Sequence, residues 1–100
     1  MAVVKDVPAI GSPASITLAA DPDGRYHLRR IVWSYGAVPV GGRLTVDTGG
    51  VNRVDHDITT GGKDALDCDI VTPINQAVVI TLAGIATVQA KLTVIYEPTS

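Results

Sequence analysis

The chain has 100 residues, which suits a single domain, and 46% of them are hydrophobic while only 18% are charged. The formal net charge of −2 at pH 7 provides no long-range attraction to nucleic acid or to an anionic membrane, so neither is expected as a partner. The single cysteine, Cys68, excludes an internal disulfide, and no apolar run approaches the ~20 residues that a membrane-spanning helix needs.

The residue types favour strands over helices. Fourteen Val, nine Ile and ten Thr make a third of the chain β-branched, and such side chains pack well on a pleated sheet. Nine of the ten acidic residues are Asp, which favours turns, and only one is Glu, which favours helices. The composition therefore predicts an all-β protein.

Gly and Pro divide the chain at short intervals, as expected for many short strands. Residues 1–13 hold two prolines and one glycine and are expected to form an extended N-terminal arm or edge segment, ahead of a single domain over residues 14–100. The predicted strands are, in chain order, 15–20, 26–35, 43–48, 51–59, 65–71, 77–83 and 90–97. This spacing predicts a small β-sandwich or jelly roll of seven to eight antiparallel strands.

Alternation along the strands predicts which side chains face the core. In the long strand 26–35, strict alternation places His27, Trp33 and Tyr35 on one face and Leu28 on the other. The other residues expected to point inward are Leu44, Val46, Leu66, Cys68 and Ile70. In the last two strands, one face is expected to carry Val78, Ile80 and Leu82, and one face Leu92, Val94 and Tyr96.

Two groups of residues could carry chemistry, and each fails on spacing or on strand geometry. Asp21-x-Asp23-Gly24 resembles the start of a calcium loop, but the later ligand positions are wrong and a plain β-turn is expected. In the segment 55–57 (Asp-His-Asp), the aspartates lie on the strand face opposite His56, so they do not converge with it or with Cys68 on a metal. No nucleophile elbow or phosphate loop is present. We therefore expect no catalytic residue, no cofactor and no metal, and predict that the chain is not an enzyme.

The densest polar and aromatic cluster lies in strand 26–35, where Arg29, Arg30, Trp33 and Tyr35 are candidate contacts with another subunit or partner. Arg, Trp and Tyr are the residue types enriched at interface hot spots. The alternative is that Trp33 fills the core of the sandwich while the arginines extend into solvent.

Three stretches together resemble small β-sandwich virion proteins of tailed bacteriophages. They are the run YHLRRIVWSYGAVPVGGRLTV, the strand AVVITLAG and the closing strand KLTVIYE, within residues 25–97. The resemblance implies a virion structural protein, which is a capsid decoration or cement protein or else a head-fibre or tail accessory subunit. It also implies a homotrimer with the major capsid protein as partner.

The expected function is accordingly a decoration subunit that stabilises the phage head, with the N-terminal arm lying across an adjacent subunit. The alternative is a tail or fibre module that binds a host receptor or glycan, which would need Trp33 and Tyr35 exposed in a shallow groove. The N-terminal segment lacks the basic start and apolar core of a signal peptide, so the chain is expected to stay in the cytoplasm or to leave by a route that needs no signal. The resemblance implies assembly in the bacterial host cytoplasm and residence in the virion.

Overall fold

The computed structural model describes residues 2–99, so Met1 of the expected arm and Ser100 of the expected domain lie outside the described residues. Residues 2–99 form eight strands and no helix. The strands are β1 (Ala2–Asp6), β2 (Ala14–Leu18), β3 (Arg25–Tyr35), β4 (Gly42–Thr48), β5 (Val51–Ile58), β6 (Gly62–Val71), β7 (Val78–Leu82) and β8 (Ala90–Thr99). It follows that this part of the chain contains no helix long and apolar enough to cross a membrane.

The strands form two four-stranded antiparallel sheets packed face to face. Sheet A has the order β1-β8-β3-β6, and sheet B has the order β2-β7-β4-β5. The pairing is nested, because β1 pairs with β8, β2 with β7, β3 with β6 and β4 with β5. This is the order of an eight-stranded jelly roll, so the predicted all-β sandwich is confirmed.

The core lies between the two sheets and is built mainly from aliphatic side chains. Strands β2, β4 and β7 alternate between buried and less buried positions, as half-buried strands do. The inward positions predicted for β4 are confirmed as fully buried, and the face of β7 predicted to carry Val78, Ile80 and Leu82 is the one that faces the core. The buried apolar residues are Ala14, Ile16, Leu18, Leu28, Ile31, Trp33, Tyr35, Leu44, Val46, Ile58, Val78, Ile80, Leu82, Val88, Ala90, Leu92 and Val94.

A β-bulge corrects the predicted faces of the long strand β3. The register of β3 with both neighbouring strands shifts between Leu28 and Arg30. Leu28 is consequently fully buried on the same side as Ile31 and Trp33, although strict alternation placed it on the opposite face. A bulge adds a residue that the alternation rule does not count, and it bends the strand.

The N-terminal segment, expected as an extended arm, contributes a strand to the chain's own sheet A. Residues Ala2–Asp6 pair along their length with β8, from Ala2 opposite Tyr96 to Asp6 opposite Leu92. Val4 packs against the core, and the Asp6 carboxylate accepts a hydrogen bond of 2.8 Å from the backbone N–H of Ser15. Residues 2–6 therefore close one side of the sandwich, and only 7–13 form a loop.

We predict that Leu44→Ala lowers the free energy of unfolding by about 2–5 kcal/mol, because Leu44 is fully buried in the centre of sheet B. The neighbouring Thr45→Ala is the control, since Thr45 lies on the outer face of the same strand, and we expect it to cost less than about 1 kcal/mol. Urea unfolding measures both. Equal losses for the two variants would contradict the assignment of faces.

Candidate functional site

The nested pairing sorts the loops between the two ends of the sandwich. Strand n runs antiparallel to its partner, so the connections β1–β2, β3–β4, β5–β6 and β7–β8 all lie at one end. These four loops comprise residues 7–13, 36–41, 59–61 and 83–89. The opposite end holds the three remaining loops. Segments far apart in sequence thus form one surface.

The four clustered loops carry no charge, and we call this surface the uncharged end. Together they hold 23 residues, none of which is Asp, Glu, Lys, Arg or His. The opposite end, by contrast, includes Asp21 and Asp23 in the turn between β2 and β3. Depletion of charge is a compositional property of the centres of protein interfaces.

Aliphatic side chains project into solvent at the uncharged end. The four most exposed large hydrophobic residues of the part of the chain described all lie there: Val7 at 62%, Ile10 at 65%, Val38 at 67% and Val40 at 85%. A single exposed valine is ordinary, but several on one surface without charges form an apolar patch. The arrangement is suited to binding a complementary apolar surface.

Hydrogen bonds link three of the loops and give their backbone N–H and C=O groups partners within the chain. The N–H of Gly11 donates to the carbonyl of Val88 at 3.1 Å, and the N–H of Gly36 donates to the carbonyl of Gln89 at 3.0 Å. The side-chain amide of Gln89 donates to the carbonyl of Pro8 at 2.7 Å. Gln89 therefore lies at the centre of the loop cluster.

Two glycines allow the loop backbones to approach closely. A Cβ atom at Gly84 would lie 2.7 Å from the backbone nitrogen of Pro13, and one at Gly61 would lie 2.9 Å from the backbone of Ala37. Real Cβ atoms do not come so near to backbone atoms. These glycines bring loop 83–89 against 7–13 and loop 59–61 against 36–41.

Strain and anchoring are also visible in loop 83–89. Thr87 is β-branched and adopts a φ of 65°, in the left-handed region that such residues avoid. Backbone strain of this kind clusters at functional sites. The hydroxyl of Tyr35 donates to the carbonyl of Ala83 at 2.7 Å, which ties the start of the loop to the core. Burial raises the pKa of Tyr35, so this hydroxyl stays protonated as a donor.

The structure separates the four candidate contact residues predicted from sequence. Trp33 and Tyr35 lie in the core, at 3% and 1% exposure. Arg29 and Arg30 lie on the outer surface of sheet A, where Arg29 donates to Glu97 at 3.0 Å. That hydrogen bond lowers the pKa of Glu97. Of the four residues predicted as partner contacts, only the two arginines are therefore exposed on the surface.

The Asp, His and Cys residues considered as a metal site do not converge. The register places His56 opposite Leu44, where it is exposed at the edge of sheet B and its ring centroid is 5.7 Å from that of Trp33. Asp55 lies on the outer face, paired with Arg43, whose hydrogen bond lowers the pKa of Asp55. Within residues 2–99 no three His, Cys, Asp or Glu side chains are placed to share a metal ion.

The predicted β-turn at residues 21–24 is confirmed. The N–H of Gly24 donates to the carbonyl of Asp21 at 3.2 Å, which closes the turn. The Asp21 carboxylate accepts a hydrogen bond of 3.0 Å from the N–H of Asp23, an arrangement common in turns that begin with Asp.

Comparison with known proteins gives the fold and no family. No protein-family model matches the chain, and a search of curated proteins finds no relative. Among solved structures, the chain is similar to dimeric latent PorU from Porphyromonas gingivalis, with a TM-score of 0.54 and 7% sequence identity. The match covers 98% of this chain but only 12% of the PorU chain. At this identity the likeness concerns the β-sandwich alone.

We predict that Gly84→Ala lowers stability by about 1–3 kcal/mol, because the added methyl group pushes loop 83–89 away from the Pro13 backbone. Gly36→Ala is the matched control in the same loop cluster. A Cβ at Gly36 meets only ordinary contacts of 3.7–3.8 Å with Gln89, so we expect this variant to be neutral or slightly stabilising. Thermal unfolding distinguishes the two, and an unperturbed Gly84→Ala protein would refute the close approach.

We also predict slow alkylation of Cys68. Burial, followed by the charges of Asp67 and Asp69, raises the pKa of its thiol, so less thiolate is present than in a free cysteine. At pH 8 iodoacetamide should modify the folded protein more slowly than a model thiol, and denaturant should restore the model rate. Rapid modification of the folded protein would argue against this burial.

Proposed function

We propose that this chain is a non-catalytic structural subunit of a bacteriophage virion, a capsid decoration or cement protein that docks through its uncharged end. The observation that carries the proposal is the cluster of four uncharged loops, which carries the most exposed aliphatic side chains of residues 2–99. The sequence resemblance over residues 25–97 supplies the class of assembly. The major capsid protein is the proposed partner.

The loop cluster is suited to docking because its geometry is already fixed in the isolated chain. Ordering a flexible loop on binding costs free energy, and loops that are hydrogen-bonded to each other before binding avoid most of that cost. Gln89, Gly11 and Gly36 make those bonds within the chain. Less of the free energy gained by burying the exposed valines is then spent on ordering the loops.

The fold is compatible with this proposal but does not select it. Eight-stranded jelly rolls occur in viral capsid proteins, in lectins and in cupins, and a fold alone does not specify a function. The uncharged end is what favours an assembly role over the others, since it offers apolar surface and no titratable group with which to carry out chemistry.

The alternative function, a receptor- or glycan-binding module, would use exposed aromatic rings. Trp33 and Tyr35 are in the core, while Tyr26 and Tyr96 are half-buried and pack edge-to-face with ring centroids 5.6 Å apart. No observation among the described residues favours sugar stacking. The homotrimer remains part of the proposal, and light scattering of the purified chain tests it.

We predict that Val38→Asp/Val40→Asp abolishes attachment to capsids. Burying two valine side chains contributes about 3 kcal/mol, so their loss weakens affinity by roughly a hundredfold before the cost of burying charge is added. The measurement is co-sedimentation of purified protein with phage heads that lack it. Thermal unfolding should not change, because both side chains are exposed.

The matched control is Val51→Asp/Ile74→Asp, which adds the same two charges to exposed aliphatic positions at the opposite end. This variant should bind heads like the unmodified protein. Failure of the unmodified protein to sediment with heads, or equal binding by both variants, would overturn the proposal. Deleting residues 2–6 would be a poor test, because it removes β1 and exposes the edge of β8.

A further inference from the structure

All three lysines of the chain line one depression on the outer face of sheet A. Lys5 comes from β1, Lys63 from β6 and Lys91 from β8, so positions far apart in sequence meet on one surface. The depression has a volume of about 380 Å³, and Val32, Ser34 and Thr93 also line it. We call it the lysine pocket.

The register of sheet A explains this convergence. Lys63 and Lys91 both lie directly opposite Ser34, one on each neighbouring strand, and Lys5 lies opposite Thr93. The three positions are all near the uncharged end, where β3 finishes at Tyr35. The lysine pocket and the exposed valines therefore border each other, and a partner that covers one meets the other.

None of the three lysines forms an ion pair within residues 2–99, although acids outnumber bases in the chain. The acids next to them in sequence are engaged elsewhere. Asp6 accepts a hydrogen bond from Ser15, and Asp64 accepts one from the N–H of Ala65. A chain with net charge −2 thus places three lysines in one depression, and none of them is ion-paired among the described residues.

The spacing of the three lysine positions on sheet A indicates the chemistry of the ligand. Lys63 and Lys91 are two strand spacings apart, about 9.5 Å between backbones, and Lys5 lies on a third strand, so the three side chains start from separate points around the depression. The pocket contains no Arg. The strands β3 and β8 are paired along both edges, so their backbone N–H groups are used in the sheet. Sites for a single phosphate group usually supply such N–H groups or a guanidinium.

We infer that the lysine pocket binds an acidic peptide segment of the docking partner, with separate carboxylates meeting separate lysines. Alternate residues of an extended peptide lie on one side about 7 Å apart, which matches a set of dispersed cations. The inference rests on the proposed function, since the segment belongs to the protein that receives the uncharged end. The inference implies that the docking partner has an apolar surface, which meets the uncharged end, next to an acidic segment, which meets the lysine pocket.

The test uses the intact protein and a synthetic peptide, acetyl-Asp-Gly-Asp-Gly-Asp-Gly-Asp-amide. Nuclear magnetic resonance of the lysine side chains should show that the peptide shifts the signals of Lys5, Lys63 and Lys91. Binding should weaken as salt is raised from about 0.05 M to 0.5 M, because exposed charge pairs are screened. A K5Q/K63Q/K91Q variant should bind roughly tenfold more weakly.

The triple Lys→Arg variant is the matched control, since it keeps the three charges and should retain peptide binding. Two further arms use inorganic phosphate and a single-stranded oligonucleotide at the same ionic strength. Tighter binding of either anion than of the peptide would overturn the inference, as would peptide binding that the Lys→Gln variant leaves unchanged. Circular dichroism confirms that the variants are folded.

This outcome can be separated from that of the proposed function. The Val38→Asp/Val40→Asp variant should keep its affinity for the peptide, apart from a small loss from the added negative charge. If the protein binds the peptide but not phage heads, the inference about the lysine pocket stands and the proposed virion role fails. If the protein binds phage heads but not the peptide, the virion role stands and the inference about the pocket fails.

Discussion

The nested pairing of β1 with β8, β2 with β7, β3 with β6 and β4 with β5 decides where every other feature of the molecule lies. Because the strands alternate in direction, this pairing places the connections β1–β2, β3–β4, β5–β6 and β7–β8 at one end of the sandwich. It also brings lysines from β1, β6 and β8 onto one face of sheet A. The surface proposed to meet a partner is thus a consequence of topology and of no single sequence motif.

The sequence predicted the positions of β2 to β8 because Gly and Pro mark most of the strand ends and several strands alternate with period two. Alternation with period two placed Leu44 inward and put Ile80 on one face with Leu82, and all three are buried. The turn at Asp21–Gly24 followed from its Pro and Gly. The rule fails in β3, where the bulge beside Arg29 adds a residue and turns Leu28 into the core. Sequence periodicity does not count bulges.

The candidate site was harder to predict, because it depends on which strand pairs with which. Alternation assigns a side chain to a face but not to a neighbour, so nothing local connects Lys5 with Lys91 or Val7 with Val40. The cluster around Trp33 was predicted as a partner contact because its residues are close together in sequence. Trp33 is in fact buried in the core. The sequence does contain one signal of the site, because the segments 7–13, 36–41, 59–61 and 83–89 contain no charged residue. The strand order of a jelly roll is needed to show that these four segments lie at the same end.

The distribution of charge separates arginines that are already paired from the lysines of the pocket. Three of the five arginines, Arg29, Arg30 and Arg43, each pair with a carboxylate on a neighbouring strand, whereas none of the three lysines does so within residues 2–99. Exposed ion pairs contribute little to stability, so the fold gains little from its arginines and would gain little from pairing its lysines. Fold stability alone therefore gives no reason to gather three like charges, which repel one another, beside an apolar surface. Binding does, because an acidic partner relieves that repulsion only in the complex.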